Sequence, residues 1–487
     1  MLQRDGTVPT PIILAVIGLG AFITSLDQTV VVTALPSVML DLKVPIAELD
    51  RVSWIITAYL LGYTVAMPLI GRVGDVYGYA RVYQVSLVVF CVGSSLVAIS
   101  SNLEWMVGAR VVQAVGGGAT VPIGMALAIG LVPEGQRGLA LGVVGASAEA
   151  GSMLGPAYGG AIVEALSWRW IFWLNVPQAA VIFLALVWLP NRPADGAKVD
   201  YMGGVLLVAA LLVLCLGLSR SDLFTFDSAY PFLLAGGGVA LVAILVLVEA
   251  KPCQSLLIPI LFRSWAFLSA NLTQILVGVA LIIAMVTVPL MANTVMGKSP
   301  LTGALWLLRL TGAIPLGAVT GGLLLNRLGA RPITVSGLAL VTIGMFLVGG
   351  WELGVRDPVL TIHLVITGFG FGLVIVPITF CAVEAARDDY RATAASWVMV
   401  SRMMGMTLGL AALSSWGVSQ FQVLTAGLEF PFALPGEVAA LAEARVVEYS
   451  ISLNNAILEL FRRFFLAGSV AALIAILPVL IMRRRLK

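Results

Sequence analysis

The sequence predicts an all-α integral membrane protein, because of its composition, its long apolar runs and an internal repeat. Of its 487 residues, 60% are hydrophobic and 11% are charged, whereas soluble domains average about 25% charged residues. The mean hydropathy is +1.03. A helix needs about 20 apolar residues to cross the hydrocarbon core of a bilayer, and runs of that length recur along the whole chain.

Fourteen apolar runs, separated by charged or turn residues, each predict one transmembrane helix. The first run is too long for the apolar region of a signal peptide, so we expect it to stay as a span. The predicted spans lie near residues 11–40, 51–71, 80–100, 105–131, 137–164, 170–189, 200–219, 231–249, 265–296, 301–325, 332–351, 360–384, 392–417 and 456–482.

The distribution of basic residues predicts the orientation. An even number of spans puts both termini on one side of the membrane. If the termini are cytoplasmic, the segments that then lie in the cytoplasm carry more lysine and arginine than the external segments do. This is the distribution that the positive-inside rule requires. A basic cluster after the last span supports this orientation: Arg483, Arg484, Arg485 and Lys487. We therefore expect both termini in the cytoplasm.

A loop motif of the form G-x3-[D/N]-x2-G, followed by a basic residue, occurs twice. The first copy, after the second span, is Gly71, Asp75, Gly78 and Arg81. The second copy, after the tenth span, is Gly322, Asn326, Gly329 and Arg331. The repeat predicts two six-helix bundles, residues 1–190 and 260–487, with two inserted transmembrane helices and their linkers at 191–259. Repeats of this kind place a substrate site at mid-membrane between the halves.

Further motifs stand in order on the first five spans. They are LDQTVV from Leu26 to Val31 with Pro36, the loop motif Gly71 to Arg81, Arg110 and Gln113 with Gly116, and the glycine–proline motif Gly151, Gly155, Pro156, Gly159 and Gly160. In this order they resemble the motifs of the major facilitator superfamily, in its fourteen-span drug:proton antiporter group. Residues 54–71 and 401–417 also resemble the lipid-exporting branch found in mycobacteria.

The resemblance implies a fold and a function. The fold is that of the superfamily, with two bundles, two inserted helices and alternating access. The implied function is export of triacylglycerides or related lipids across a prokaryotic cytoplasmic membrane, beside a periplasmic lipid-carrier lipoprotein. Two positions depart from the pattern: Arg81 is the only basic residue after Asp75 in the loop motif, and Ala114 replaces a usual glycine.

The fifth span combines close packing with a buried acid. Gly151, Gly155 and Gly159 lie four residues apart, which puts them on one helix face that another helix can approach closely. Pro156 is expected to bend the helix. We expect this face to lie against the other half of the molecule. Glu149 lies in the same span, where a charge is costly and usually functional.

Asp27 and Arg110 are candidates for proton coupling, together with Glu149. Asp27 lies in the middle of the first span, and desolvation of its charged form favours exchange of a proton there. Alternatively, Asp27 is a structural acid bonded to Thr29 or to a neighbouring helix. Arg110 lies about one turn into the fourth span, where it can act on a nearby acid or extend to the interface.

Arg402, midway along the thirteenth span, is the predicted partner of Glu149. A pair between them would bridge the two halves as a latch that opens when Glu149 is protonated. Breaking a buried pair costs about 3–5 kcal/mol, enough to set a conformational equilibrium. Alternatively, each residue finds its partner within its own half.

Three other features have predicted roles. By resemblance, Asp75 of the loop motif braces the start of the thirteenth span near Ala392, where a helix N-terminus favours an anion; alternatively, it only forms a turn. Arg309 is a candidate for lining the central cavity. Residues 418–455 read as an amphipathic, external continuation of the last two spans. They form either an exit ramp or docking surface for the carrier, or a cap over the helix ends.

Several function classes are excluded. The sequence has one histidine and no CxxC, GxSxG or phosphate-binding loop motif, so we expect no metal site, no cofactor and no enzyme activity. The net charge of +3 is small, which disfavours nucleic acid as a partner. The leading hypothesis is a monomeric, proton-coupled exporter of lipids or lipid-like compounds in contact with membrane lipids. The alternatives are a multidrug:proton antiporter and, less favoured, a non-transporting scaffold or sensor.

Overall fold

A computed structural model describes residues 9–44, 52, 54–191, 199, 201–218, 229–248, 261, 263–386, 390–428 and 439–481. In this part of the chain the structure consists of helices and the turns between them. The helices are α1 (Thr10–Asp41), α2 (Trp54–Tyr77), α3 (Tyr79–Ala98), α4 (Leu103–Leu131), α5 (Arg137–Ala165), α6 (Trp168–Leu186), α7 (Tyr201–Leu218), α8 (Tyr230–Val248), α9 (Trp265–Thr294), α10 (Pro300–Leu328), α11 (Ala330–Gly349), α12 (Val359–Ala385), α13 (Arg391–Thr425), α14 (Ala439–Ile474) and α15 (Ile476–Ile481), with a 3-10 helix, Glu134–Gln136, before α5.

Twelve helices in the described residues are long and apolar enough to cross a bilayer. They are α1 to α6 and α9 to α14, six on each side of the inserted pair. Helices α7 and α8 lie where the sequence predicts the seventh and eighth spans, and they are 18 and 19 residues long. They are not among the twelve. The multi-pass helical fold is therefore confirmed, whereas the count of fourteen spans is not.

Side-chain caps begin several of the helices. Asn102 Oδ1 accepts a hydrogen bond from Trp105 N at 2.8 Å at the start of α4. Ser167 Oγ accepts one from Arg169 N at 3.2 Å at the start of α6. A cap of this kind satisfies a backbone N–H that has no partner within the helix, so the chain can turn sharply between spans.

Helices pair in the same order in the two halves, α1–α6 and α9–α15. In the first half α1 packs along α5 and α3 along α4; in the second half α9 packs along α13 and α11 along α12. This equivalence agrees with the repeated loop motif. The domain boundaries 1–190, 191–259 and 260–487 stay predictions.

The halves meet along α5 with α10 and along α2 with α13. We refer to the end that holds the start of α1 and the α2–α3 turn as the N-terminal face, and to the opposite end as the far face. A Cβ atom added to Gly71 would lie 2.3 Å from Ser396 Oγ, and one added to Gly138 would lie 2.7 Å from Gly322 O. The halves are thus tightly packed at the N-terminal face.

The predicted external segment 418–455 is helical over most of its described part. Helix α13 continues to Thr425 and α14 begins at Ala439, so both helices extend past the predicted membrane boundary. Residues 429–438, with Pro431 and Pro435, lie outside the described residues.

Candidate functional site

A buried polar cluster surrounds Asp27 in the first half. Arg110 Nη1 donates to Asp27 Oδ2 at 2.7 Å. Gln113 Nε2 and Asn175 Nδ2 both donate to Asp27 Oδ1, at 3.0 and 2.8 Å. Asn175 Nδ2 also contacts Ser94 Oγ at 3.1 Å. The Asp27 cluster therefore joins α1, α3, α4 and α6, and its carboxylate accepts three hydrogen bonds.

The surroundings of Arg110 decide between the two predicted orientations of its side chain. Arg110 and Asp27 are both 0% exposed, so Arg110 does not extend to the interface. Its guanidinium carbon lies 3.8 Å from the centre of the Tyr59 ring, a cation–π contact. Arg110 Nη2 is buried and has no hydrogen-bond partner. Thr29 bonds to backbone carbonyls instead of Asp27, so Asp27 takes its partners from neighbouring helices.

The glycine face of α5 packs against α1, not against the other half. Cβ atoms added to Gly151, Gly155 and Gly159 would lie 2.2, 2.8 and 2.6 Å from the carbonyl oxygens of Phe22, Leu26 and Val30. The prediction that this face meets the other half is wrong. Helix α5 has a second glycine face for that contact, formed by Gly138 and Gly142.

The two glycine faces differ because of helix geometry. Gly138 and Gly151 are thirteen residues apart, which at about 100° per residue is roughly 220° around the axis. The two faces therefore point in nearly opposite directions. Pro156 lies inside α5 without ending the helix, and a Cβ atom at Gly160 would meet no other atom within 4 Å.

Glu149 and Arg402 join the two halves. Arg402 Nη1 donates to Glu149 Oε1 at 2.6 Å, from α13 to α5. The Arg402 side chain is 8% exposed and the Glu149 side chain is 15% exposed. The structure thus shows a pair between the halves, and not the alternative in which each residue finds its ionic partner within its own half. Whether this ion pair acts as a proton-sensitive latch stays a prediction.

A small cavity lies beside the Glu149–Arg402 pair, between the halves. It is lined by Glu149 and Arg402, by two methionines, and by the polar side chains of Gln274 and Thr379; the methionines are Met125 and Met399. The pair therefore lies in a mainly apolar environment with few polar groups beside it.

Asp75 caps the start of α13 across the interface between the halves. Its carboxylate accepts hydrogen bonds from Ala392 N at 3.0 Å and from Thr393 N at 3.1 Å. Thr393 Oγ1 and Tyr79 Oη also donate to it, at 2.5 and 2.9 Å. Asp75 is thus more than a turn-former, since an acid that accepts from the first N–H groups of a helix stabilises that helix end.

The turn after Asp75 depends on two other residues. Gly78 has φ +92°, a backbone conformation that favours glycine. Asn191 holds the turn: its Oδ1 accepts from Arg81 N at 3.3 Å, and its Nδ2 donates to Tyr77 O at 3.1 Å. The side chain of Arg81 is exposed. Its backbone N–H is therefore the part of Arg81 that holds the turn.

The second loop motif makes an equivalent contact, from the second half to the first. Asn326 Nδ2 donates to Gly135 O, in the 3-10 helix before α5. Arg137, at the start of α5, pairs with Glu384 at the end of α12 at 3.4 Å. Each half thus braces the start of a helix in the other half at the N-terminal face.

Arg309 lies in the second half, and its side chain is half-buried. Its Nη1 is 2.7 Å from Asp357 Oδ1 and 2.7 Å from Thr361 Oγ1. The hydroxyl of Thr361 and the guanidinium of Arg309 hold the pKa of Asp357 below its usual value. These contacts lie within one half, and a role for Arg309 in lining the cavity stays a prediction.

Sequence reasoning missed two polar residues of the site. Asn175 completes the Asp27 cluster from α6, and Gln274 lies beside Arg402 from α9. Each is an amide within an otherwise apolar run, which is the signal that would have identified them. Among the described residues, no group of three or more potential metal ligands is present.

Comparison with known proteins identifies the family. The model of the Major Facilitator Superfamily matches residues 17–410. The chain belongs to the Major Facilitator Superfamily. It is therefore a multi-pass membrane protein of a transporter family, and the prediction that it is not an enzyme is confirmed.

Three curated relatives are triacylglyceride transporters. That of Mycolicibacterium hassiacum is 36% identical over 421 residues, which cover 83% of this chain and 78% of the relative. Those of Mycolicibacterium smegmatis and Mycobacterium tuberculosis are each 35% identical, over 482 and 451 residues. They cover 95% and 88% of this chain and 86% of each relative. The resemblance to mycobacterial triacylglyceride transporters is thus confirmed.

Solved structures share the fold. The human organic anion transporter MFSD10 superposes with a TM-score of 0.63 at 16% identity, covering 98% of this chain and 100% of that one. The proton:xylose symporter XylE gives a TM-score of 0.62 at 13% identity, covering 96% and 94%. At these identities the likeness shows the fold alone.

Proposed function

We propose that this protein exports lipids or lipid-like compounds across a prokaryotic cytoplasmic membrane, driven by protons and by alternating access. The observation that carries the proposal is the Glu149–Arg402 ion pair, because it joins the two halves beside a mainly apolar cavity. Relatives at about 35% identity are triacylglyceride transporters, which supports a lipid as the cargo.

The coupling step assigns a proton to Glu149. While Glu149 is charged, the pair holds α5 against α13 and the N-terminal face stays packed. When Glu149 takes up a proton, it loses its attraction for Arg402 and the halves can separate there. Asp27 is the second proton site, and its carboxylate is paired with Arg110. A charge moved across the membrane supplies about 2.3 kcal/mol per 100 mV.

The orientation follows from the distribution of basic residues. Both termini are cytoplasmic, so the packed N-terminal face is the cytoplasmic side. Helices α7 and α8 complete fourteen spans as an inserted pair, and α7 contacts both α2 and α13. These contacts of α7 support a position for the inserted pair beside the junction of the two bundles.

The extension 418–455 is the proposed exit ramp, and the proposed partner is a periplasmic lipid-carrier lipoprotein. Exposed apolar side chains support this role: Val418 and Val423 on α13, and Val447 and Ile451 on α14, are each more than half exposed. An exposed apolar surface outside the membrane suits a lipid or its carrier.

Multidrug:proton antiport is the second candidate. Met125 and Met399 line the cavity beside the latch, and methionine adapts its shape to varied apolar ligands. The same latch and proton sites would serve a drug. A non-transporting scaffold is disfavoured by membership of a transporter family.

Reconstitution tests the proposed function. We expect proteoliposomes holding the full chain to move a fluorescent triacylglyceride when a pH gradient is imposed, and to stop when the gradient is collapsed. A drug dye is measured in parallel. Transport of the dye alone would favour the antiporter, and transport of the lipid without a gradient would remove proton coupling.

The latch makes a specific prediction. Glu149→Gln, which mimics the protonated acid, is expected to separate the halves at the N-terminal face and to make transport insensitive to the pH gradient. Spin labels on α5 and α13 measure the separation. Removing one partner of a buried pair costs about 3–5 kcal/mol, so the equilibrium is expected to shift by more than tenfold.

A second ion pair between the halves is the matched control. Glu384 is 37% exposed in its pair with Arg137, and exposed pairs contribute little. We therefore expect Glu384→Gln to leave the distances and transport nearly unchanged. Equal behaviour of Glu149→Gln and Glu384→Gln would contradict the latch.

A further inference from the structure

Gln274 on α9 has a buried oxygen without a partner. Its side chain is 1% exposed, and its Oε1 atom has no hydrogen bond. Most buried polar atoms are hydrogen-bonded, because an unpaired one loses its hydration without compensation. The orphan oxygen therefore requires an explanation.

The position of Gln274 explains why its oxygen has no partner. Gln274 lines the same cavity as Glu149 and Arg402. Helices α9 and α13 are in close contact there, since a Cβ atom added to Gly278 would lie 2.3 Å from Arg402 O. Gly278 is four residues after Gln274 and so lies on the same helix face. Gln274 thus faces the part of α13 that carries Arg402.

The chemistry of arginine requires an acceptor at this place. Arg402 stays charged at all physiological pH values and has only donors. When Glu149 is protonated, Arg402 keeps its charge but loses its anionic partner. Of the cavity's other polar side chains, the Thr379 hydroxyl already takes part in a hydrogen bond, which it donates to Ile375 O at 2.9 Å. Gln274 Oε1 is the acceptor there that has no hydrogen bond.

We propose that Gln274 is a positioning residue, which accepts the guanidinium of Arg402 once Glu149 has taken up a proton. This inference rests on the proposed latch. The charged and titratable groups of this region are Glu149 from α5, Arg402 from α13 and the Tyr63 hydroxyl from α2, which interacts electrostatically with both. Because the amide is neutral, it holds the cation without competing with Glu149 for the proton.

Two substitutions at Gln274 are expected to act in opposite directions. Gln274→Leu removes the acceptor, so it disfavours the separated state and keeps the N-terminal face packed. Gln274→Glu offers Arg402 a second carboxylate, so it weakens the Glu149–Arg402 pair and favours separation. A hydrogen bond to a charged group is strong enough for a shift of about tenfold in the equilibrium.

Thr287 provides a matched control on the same helix. It is 1% exposed, and its Oγ1 atom also lacks a partner. Thr287→Val removes an equally buried orphan oxygen away from the cavity lining. Spin-label distances between α5 and α13 are measured in the reconstituted full chain, at acidic and at alkaline pH, for each variant and for each variant combined with Arg402→Met.

The expected result is a shift for both Gln274 variants, in opposite directions, which disappears when Arg402 is methionine. Thr287→Val is expected to show no shift. The proposal is overturned if Gln274→Leu matches Thr287→Val, if its effect persists without Arg402, or if Gln274→Glu causes no shift. The latch itself survives those outcomes as long as Glu149→Gln still separates the halves.

Discussion

Replacing Arg110 by methionine is expected to abolish transport and to lower the free energy of unfolding by about 3–5 kcal/mol. The guanidinium and the Asp27 carboxylate are both 0% exposed and 2.7 Å apart. Without the cation, Asp27 keeps only the amide donors of Gln113 and Asn175. The buried negative charge is then largely uncompensated, so the folded state loses stability and the proposed proton site is disrupted.

The same substitution at an exposed ion pair is the control. Arg309 is 34% exposed in its pair with Asp357, so Arg309→Met is expected to change unfolding in mixed micelles very little. The double variant Asp27→Asn with Arg110→Met is expected to be more stable than Arg110→Met alone, because it buries no net charge. A wild-type unfolding transition for Arg110→Met would contradict this account.

The sequence predicts charged residues of the site well, because a charge inside an apolar run is costly in a membrane. Asp27, Arg110, Glu149 and Arg402 all stand out on that ground. The Glu149–Arg402 contact across 253 residues also follows from the sequence, because the repeat predicts two facing halves and each residue lies mid-span.

The sequence does not reveal which neighbours complete each charge. Asn175 and Gln274 are amides that carry no charge, and their importance depends on the rotation of α6 and α9 in the folded bundle. The direction of the glycine face has the same origin. Spacing shows that Gly151, Gly155 and Gly159 share a face, but only packing shows that α1 is the helix they meet.

The span count shows a similar limit. Hydropathy alone predicts fourteen spans, because residues 200–219 and 231–249 carry no charge apart from the terminal Asp200 and Glu249. Helices of 18 and 19 residues form at both places, but they are not among the twelve helices of the described residues that are long and apolar enough to cross a bilayer. Composition predicts where these helices form, and it does not report how many of them span the membrane.

Gly155→Val is expected to abolish transport by separating α1 from α5. A Cβ atom at this position would lie 2.0 Å from Thr29 Oγ1 and 2.8 Å from Leu26 O. The hydroxyl of Thr29 can rotate away, whereas the backbone carbonyl of Leu26 cannot. Overpacking of this kind costs typically about 1–3 kcal/mol, and more where the backbone must move. Because Asp27 follows Leu26 directly, the shift also disturbs the hydrogen bonds of the Asp27 cluster.

Gly160 makes this prediction specific to packing, since it belongs to the same motif but faces open space. A Cβ atom there would meet nothing within 4 Å, so Gly160→Val is expected to transport at the wild-type rate. Thr29→Ala is expected to rescue Gly155→Val only in part, because it removes the hydroxyl contact and leaves the clash with Leu26 O. Export and thermal unfolding of the four variants, measured side by side, check these results. Full rescue by Thr29→Ala would show that the Thr29 side chain is what requires glycine at position 155, and not the close contact between the backbones of α1 and α5.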